Sequence, residues 1–167
     1  MKFGSKDLAL TVVFAALYAA GVIFLAPISF GIYQVRVADA LLPLSVVFGV
    51  PVALGTSLGC LVANVYGGLG IIDIVGGTAA NFVACVLAWL VGGKSVARRL
   101  MACFVENATI TIIVGGYLAL IFNVPVEIGL FGIFLGSVVA INIIGFAILE
   151  ALHRGGIDKR YARKVEN

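Results

Sequence analysis

The chain has 167 residues, 62% of them hydrophobic and 11% charged, with a formal net charge of +3. Soluble domains carry about 25% charged residues, so a core of this length could not hide so much apolar surface from water. That excludes an ordinary soluble enzyme or nucleic-acid binder and predicts an integral membrane protein that keeps most of its length in the bilayer. Cys60, Cys85 and Cys103 lie in apolar runs without metal-ligand spacing and read as buried thiols, with no metal and no cofactor expected.

Helix 1 is predicted over about 7–25, ended by Pro27, and is read as a retained helix, not a signal peptide. Ala15 and Ala19, and likewise Ala16 and Ala20, stand one helical repeat apart and form a smooth strip. Such strips admit a close helix, either from within the protein or from a partner subunit.

Helix 2, about 35–48, carries Gln34-Val35-Arg36-Val37-Ala38-Asp39 at its start and Pro43 inside. Arginine and aspartate at this spacing share a helical face, and Pro43 cannot donate the hydrogen bond that would close on the Asp39 carbonyl. Helix 3, about 51–66, opens on Pro51 and presents Gly55 and Gly59 as a small-residue face. Both helices measure roughly 21–24 Å, short of a ~30 Å hydrocarbon core. Short, interrupted segments point to a binding site; a hairpin in a locally thinned bilayer is the alternative.

Helix 4 is predicted over 71–91, helix 5 over about 100–122 and helix 6 over about 128–152, giving one all-α domain, 1–167, of six transmembrane helices. In that zigzag Lys2, Lys6, Lys94, Arg98, Arg99 and the basic tail after His153 fall on one side. The positive-inside rule then puts both termini in the cytoplasm of a multi-pass cell-membrane protein.

This topology assigns depth to the polar residues. Arg36 and Asp39 open helix 2 on the outer side, Asn64 and Tyr66 close helix 3 there, Asp73 opens helix 4, and Asn81 follows about 12 Å deeper. An isolated charge at a helix centre costs about 2.5–3.5 kcal/mol. Arg36, Asp39, Asp73 and Glu106 must therefore be paired, shallow or facing a wet cavity. Arg36 and Asp39 could neutralise each other near the interface, and Glu106 could be satisfied by cytoplasmic water or a basic loop residue. The run Gly92-Gly93-Lys94-Ser95 looks like the end of a phosphate-binding loop, but it follows a membrane helix and not a strand, so no nucleotide site is expected.

Arg36-Val37-Ala38-Asp39-Ala40-Leu41, Leu58-Gly59-Cys60-Leu61-Val62-Ala63-Asn64, Asp73-Ile74-Val75-Gly76-Gly77-Thr78 and Asn107-Ala108 together resemble the QueT family. Its members are substrate-binding (S) components of energy-coupling factor (ECF) transporters, associated with uptake of queuosine precursors. The resemblance implies a partner T component and two ABC-type ATPase subunits, with no enzymatic activity in this chain. It implies a deazaguanine-like ligand, for which Arg36, Asp39, Asn64, Tyr66, Asp73, Asn81 and Asn107 are the candidate binding residues. Asp73 is expected as the carboxylate at the base edge, Asn64 and Asn81 as amide partners, and Tyr33, Tyr66 or Tyr117 as a stacking face. The strip of Ala15, Ala16, Ala19 and Ala20 resembles the surface that docks on the T component. Two departures stand out: Asp39 where a glutamate is common, and Gly136-Ser137 where Gly-Glu is expected. Rival readings are an S component for another vitamin, a stand-alone channel or structural protein, and an intramembrane enzyme using Asp39, Asp73 and Glu106.

Overall fold

A computed structural model describes residues 3–157; Lys2 and the charged tail beyond Ile157 lie outside the described residues. Every regular element among them is helical. The helices are α1 (Ser5–Phe24), α2 (Val37–Phe48), α3 (Val50–Gly67), α4 (Ile71–Val91), α5 (Val96–Phe122) and α6 (Val126–Arg154). One helical turn, Ala26–Ser29, follows α1.

Five of these helices are long and apolar enough to cross a membrane, whereas the expectation was six. The exception is α2. Its first eight residues, Val37–Leu44, wind as a 3-10 helix around Pro43, and only Ser45–Phe48 is α-helical. A proline inside an α-helix clashes with the preceding turn and removes a hydrogen bond; the tighter 3-10 winding, which takes its bonds three residues back, is the local solution.

The chain nevertheless returns between α1 and α3, because those two helices run parallel. Gly55 sits against Thr11 and Phe14, and Gly59 against Ala15 and Tyr18, so both helices advance in the same direction. A Cβ at Gly55 would lie 2.7 Å from the Thr11 carbonyl oxygen, so only glycine permits this approach. The return stroke is shared by the non-helical stretch 30–36 and α2, laid along α6. The Ile32 carbonyl abuts Gly132, the Gln34 carbonyl abuts Gly136, and Ala40 and Pro43 abut Gly145. From Gly132 to Gly145 is about 20 Å of helix.

Gly136 and Gly145 would fall on opposite sides of a regular α-helix, since nine residues make about two and a half turns. Residues Val138–Gly145 instead form a π-helical segment. Its wider turns bring both glycines round to the face that receives the 30–43 stretch. A second π segment, Thr111–Gly115, lies in α5, where Gly115 packs backbone to backbone on Gly129 and Leu130 of α6.

The remaining helices alternate. Asn64 bonds Asp73 and Asn81 bonds Thr56 across antiparallel α3 and α4. Arg99 bonds Glu150 and Asn107 bonds Asn142 across antiparallel α5 and α6. Lys6, Lys94, Arg98, Arg99 and Arg154 thus collect at one end of the bundle, with Phe24, Gly67, Ile71, Phe122 and Val126 at the other. The buried centre holds Tyr18, Leu42, Leu118, Ile141 and Leu149, while Leu17, Val62, Leu90, Ile112 and Leu120 project outward. Apolar side chains on the outside and polar ones within is the arrangement a lipid solvent selects.

Candidate substrate-binding site

Arg36 precedes the 3-10 helix with non-helical backbone angles (φ −87°, ψ 85°). The helical face it was expected to share with Asp39 therefore does not exist. Among the described residues the two make no direct ion pair, and each side chain has partners of its own. The Arg36 guanidinium lies 5.6 Å from the centre of the Phe30 ring, a cation–π distance. Its Nη1 reaches Cys60 Sγ at 3.7 Å, and its Nε has no partner. Asp39 Oδ1 accepts the Tyr18 hydroxyl at 2.5 Å.

A small cavity opens beside this stretch. Its polar lining is Gln34, Arg36, Asp39, Asn81 and Ser137, closed by Ile110 and Val114 of α5 and by Ile133 and Gly136 of α6. The volume is about 10 Å³, room for about one water. Gln34 and Arg36 are each 6% exposed and Asp39 5%, and Gln34 Oε1 is also without a partner. A buried polar atom left unbonded costs about 1–3 kcal/mol, so Gln34 Oε1 is set to accept a ligand's hydrogen bond and Arg36 Nε to donate one.

Arg36, Asp39 and Asn81 are thus brought together, as expected from depth. Asn81 is braced by its Nδ2, which donates to the Thr56 carbonyl at 3.3 Å. Asn64 and Asp73 do not line the cavity. They form a neighbouring buried cluster in which Asn64 Nδ2 donates to the Asp73 carbonyl at 2.8 Å and the Tyr117 hydroxyl to Asp73 Oδ1 at 2.8 Å. Asn107 lies inward of the cavity, donating to Asn142 Oδ1 at 2.5 Å and accepting from Thr111 at 3.0 Å. Tyr66 is 62% exposed and Tyr33 65%; neither faces the cavity, so neither supplies the expected stacking surface.

Glu106 is fully buried, and its Oε1 accepts the Ser45 hydroxyl at 3.2 Å while its Oε2 has no protein partner; the basic loop residue considered for it is engaged elsewhere. The nearby basic residue, Arg99, is committed to Glu150 Oε1 and the Lys94 carbonyl, each at 2.5 Å. The alanine strip divides: Ala15 and Ala19 are half-buried against α3, Ala20 is half-buried, and Ala16 is exposed.

Three participants were not picked out in the sequence. Tyr18 sat unnoticed inside the alanine strip, although a tyrosine hydroxyl in an apolar helix needs a partner when buried. Gln34 gave no signal beyond its place before Arg36. Ser137 stood out only as a departure from the resembled family.

Fold and site together define a polytopic helical membrane protein with a small polar cavity inside the bundle. The residues that carry chemistry in it offer hydrogen bonds and charge, with no nucleophile–base pair among them. A family model described as QueT transporter matches residues 8–154, and the chain belongs to that family, one of transporters and not of enzymes. No curated protein and no solved structure gave a match.

Proposed function

We propose that this chain is the substrate-capture subunit of an ECF-type importer and that it takes up a queuosine precursor, a deazaguanine base, from outside the cell. The observation that carries this reading is the polar cavity with buried, unbonded atoms on Gln34 and Arg36. The basic residues at the opposite end of the bundle mark the cytoplasmic side, so the chamber belongs to the external half and both termini to the cytoplasm.

A deazaguanine presents a ring N–H and an amino group side by side, a pair that suits one carboxylate in a bidentate arrangement. Asp39 is the carboxylate in the cavity lining, with one oxygen engaged by Tyr18; we assign it the base edge that the sequence suggested for Asp73. Arg36 meets the ring carbonyl, and Gln34, Asn81 and Ser137 supply mixed donors and acceptors for the rest of the ring. The cavity must widen to admit a ring, and the 30–43 stretch, seated on the glycines of α6 by backbone contact, is the wall best able to lift.

The exposed Ala16 edge of α1, with Ala20 beside it, docks on the T component, and two ABC-type ATPases supply the energy. Ala15 and Ala19 are given over to α3. An S component for another vitamin is the second reading, favoured only by Ser137 standing where the family resemblance leads one to expect a glutamate.

Reconstitution in vesicles with a T component and its ATPases tests the proposal. ATP-dependent accumulation of labelled queuine or prequeuosine base, lost when this chain is omitted, is the expected result. Accumulation of biotin or thiamine with none of a deazaguanine would overturn the substrate.

A further inference from the structure

Beside the cavity, α3 and α4 hold two further buried acceptors that nothing in the fold satisfies. Asn64 Oδ1 and Asp73 Oδ2 have no hydrogen-bond partner, and both residues are 0% exposed. They are neighbours, since Asn64 Nδ2 reaches the Asp73 backbone carbonyl at 2.8 Å. The two unbonded atoms are of one kind: a carboxylate oxygen and an amide oxygen accept hydrogen bonds and cannot donate them. Two unbonded acceptors side by side call for a donor, and beside a carboxylate a charged donor is the stronger match.

The charge count points the same way. Arg36, Asp39 and Asp73 are the charged groups buried in the external half, at 6%, 5% and 0% exposure. One cation and two carboxylates leave a formal surplus of one negative charge. The other described basic residues stand at the far end of the bundle. Low-dielectric surroundings make such a surplus expensive unless a proton or an arriving cation balances it.

The cluster adjoins the cavity through Tyr117. That ring lies on Gly76, where a Cβ would come within 2.9 Å of it, and its hydroxyl passes 3.2 Å from the Cβ position of Gly77. The same Gly77 position lies 3.3 Å from Cys60 Sγ, the atom that receives Arg36 Nη1. Tyr117, Cys60 and Asn64 thus pack together over Gly77, which links the surroundings of Arg36 to those of Asp73. Val114, one turn before Tyr117 on α5, already lines the cavity. A turn of the Tyr117 side chain would join the two spaces.

We propose that the unbonded acceptors of Asn64 and Asp73 form a subsite behind Tyr117 that receives an ammonium group carried by the ligand. It rests on the reading of the cavity as the base site and extends it: the ring lies against Asp39, Arg36 and Asn81, and a protonated amine arm reaches along α4 to Asp73. Selection among deazaguanines is then by charge. A base with an aminomethyl arm is accepted, and one of similar size with a neutral nitrile lacks the donor.

Calorimetric titration of the purified full-length protein with 7-aminomethyl-7-deazaguanine and 7-cyano-7-deazaguanine tests this. The aminomethyl base is expected to bind about tenfold or more tightly, the ratio a charge-assisted hydrogen bond gives. Asp73→Asn, which keeps an acceptor for Tyr117 while removing the charge, should bring the ratio towards one. Should that variant fail to fold, Tyr117→Phe frees the second carboxylate oxygen and should widen the preference. Equal affinities in the native protein, or a ratio unmoved by Asp73→Asn and by Tyr117→Phe, would overturn the subsite while leaving the base site standing. Failure of both compounds to bind would remove the base site and the subsite with it.

Discussion

Tyr18 on α1 donates its hydroxyl to Asp39 on α2 at 2.5 Å, joining the largest fully buried side chain of the first helix to the carboxylate that lines the cavity. The bond fixes which way Asp39 faces, because it occupies one oxygen and leaves the other for the cavity side. It also ties α1, whose exposed edge is the proposed docking surface, to the segment proposed to lift from the site.

Removing that hydroxyl tests whether the bond matters to stability. Tyr18→Phe leaves the ring in place and strips Asp39 Oδ1 of its donor. A buried acceptor left unbonded costs about 1–3 kcal/mol, which for a chain of this size lowers the melting temperature by roughly 2–10 °C. Thermal unfolding in detergent should show that drop. A melting temperature equal to that of the native protein would mean that water or another donor replaces the tyrosine at no loss.

The glycine face of α6 can be tested without touching a polar group. Gly136 receives the Gln34 carbonyl so closely that any Cβ must displace it. Gly136→Val is expected to push the 30–36 stretch off α6, carry Gln34 and Arg36 out of the cavity and abolish ligand binding. Gly116, also on the α5–α6 hairpin, has nothing within 4 Å of its Cβ position; Gly116→Ala should bind as the native protein does and stay within about 0.5 kcal/mol in stability. Retained binding in Gly136→Val would show that the stretch does not need its seat.

The two edges of the alanine strip should respond differently. Ala19→Trp forces an indole against Gly59, where the helices are in backbone contact, and is expected to prevent stable folding. Ala16 points outward, so Ala16→Trp should fold and bind ligand normally while blocking uptake with partner subunits. Normal uptake by Ala16→Trp would place the docking surface elsewhere.

Much of this was legible in the residues. Pro27, the Gly49–Pro51 break, the Gly67–Gly70 turn and the basic loop at Lys94 marked the boundaries between helices, and lipid demands that each apolar run satisfy its own backbone. The 3-10 winding of α2 was foreshadowed by Pro43, but its consequence was not: once Arg36 falls outside the helix, the spacing argument for an Arg36–Asp39 pair fails. Depth along the membrane correctly grouped Arg36, Asp39 and Asn81. It could not separate them from Asn64 and Asp73, because depth says nothing about which side of a helix faces a chamber and which faces a neighbour. The π segments had no visible cause in sequence; the one in α6 turns Gly136 and Gly145 to the face that seats the 30–43 stretch, and the one in α5 ends where Gly115 meets Gly129 and Leu130.

The central claim, that the cavity holds a deazaguanine against Asp39, is tested most directly by calorimetric titration of the native protein and Asp39→Asn with queuine, guanine, biotin and thiamine. The account predicts that queuine binds the native protein tightly, that the two vitamins give no heat, and that Asp39→Asn weakens queuine about tenfold or more. Binding of a vitamin without response to queuine, or undiminished queuine affinity in Asp39→Asn, would contradict it.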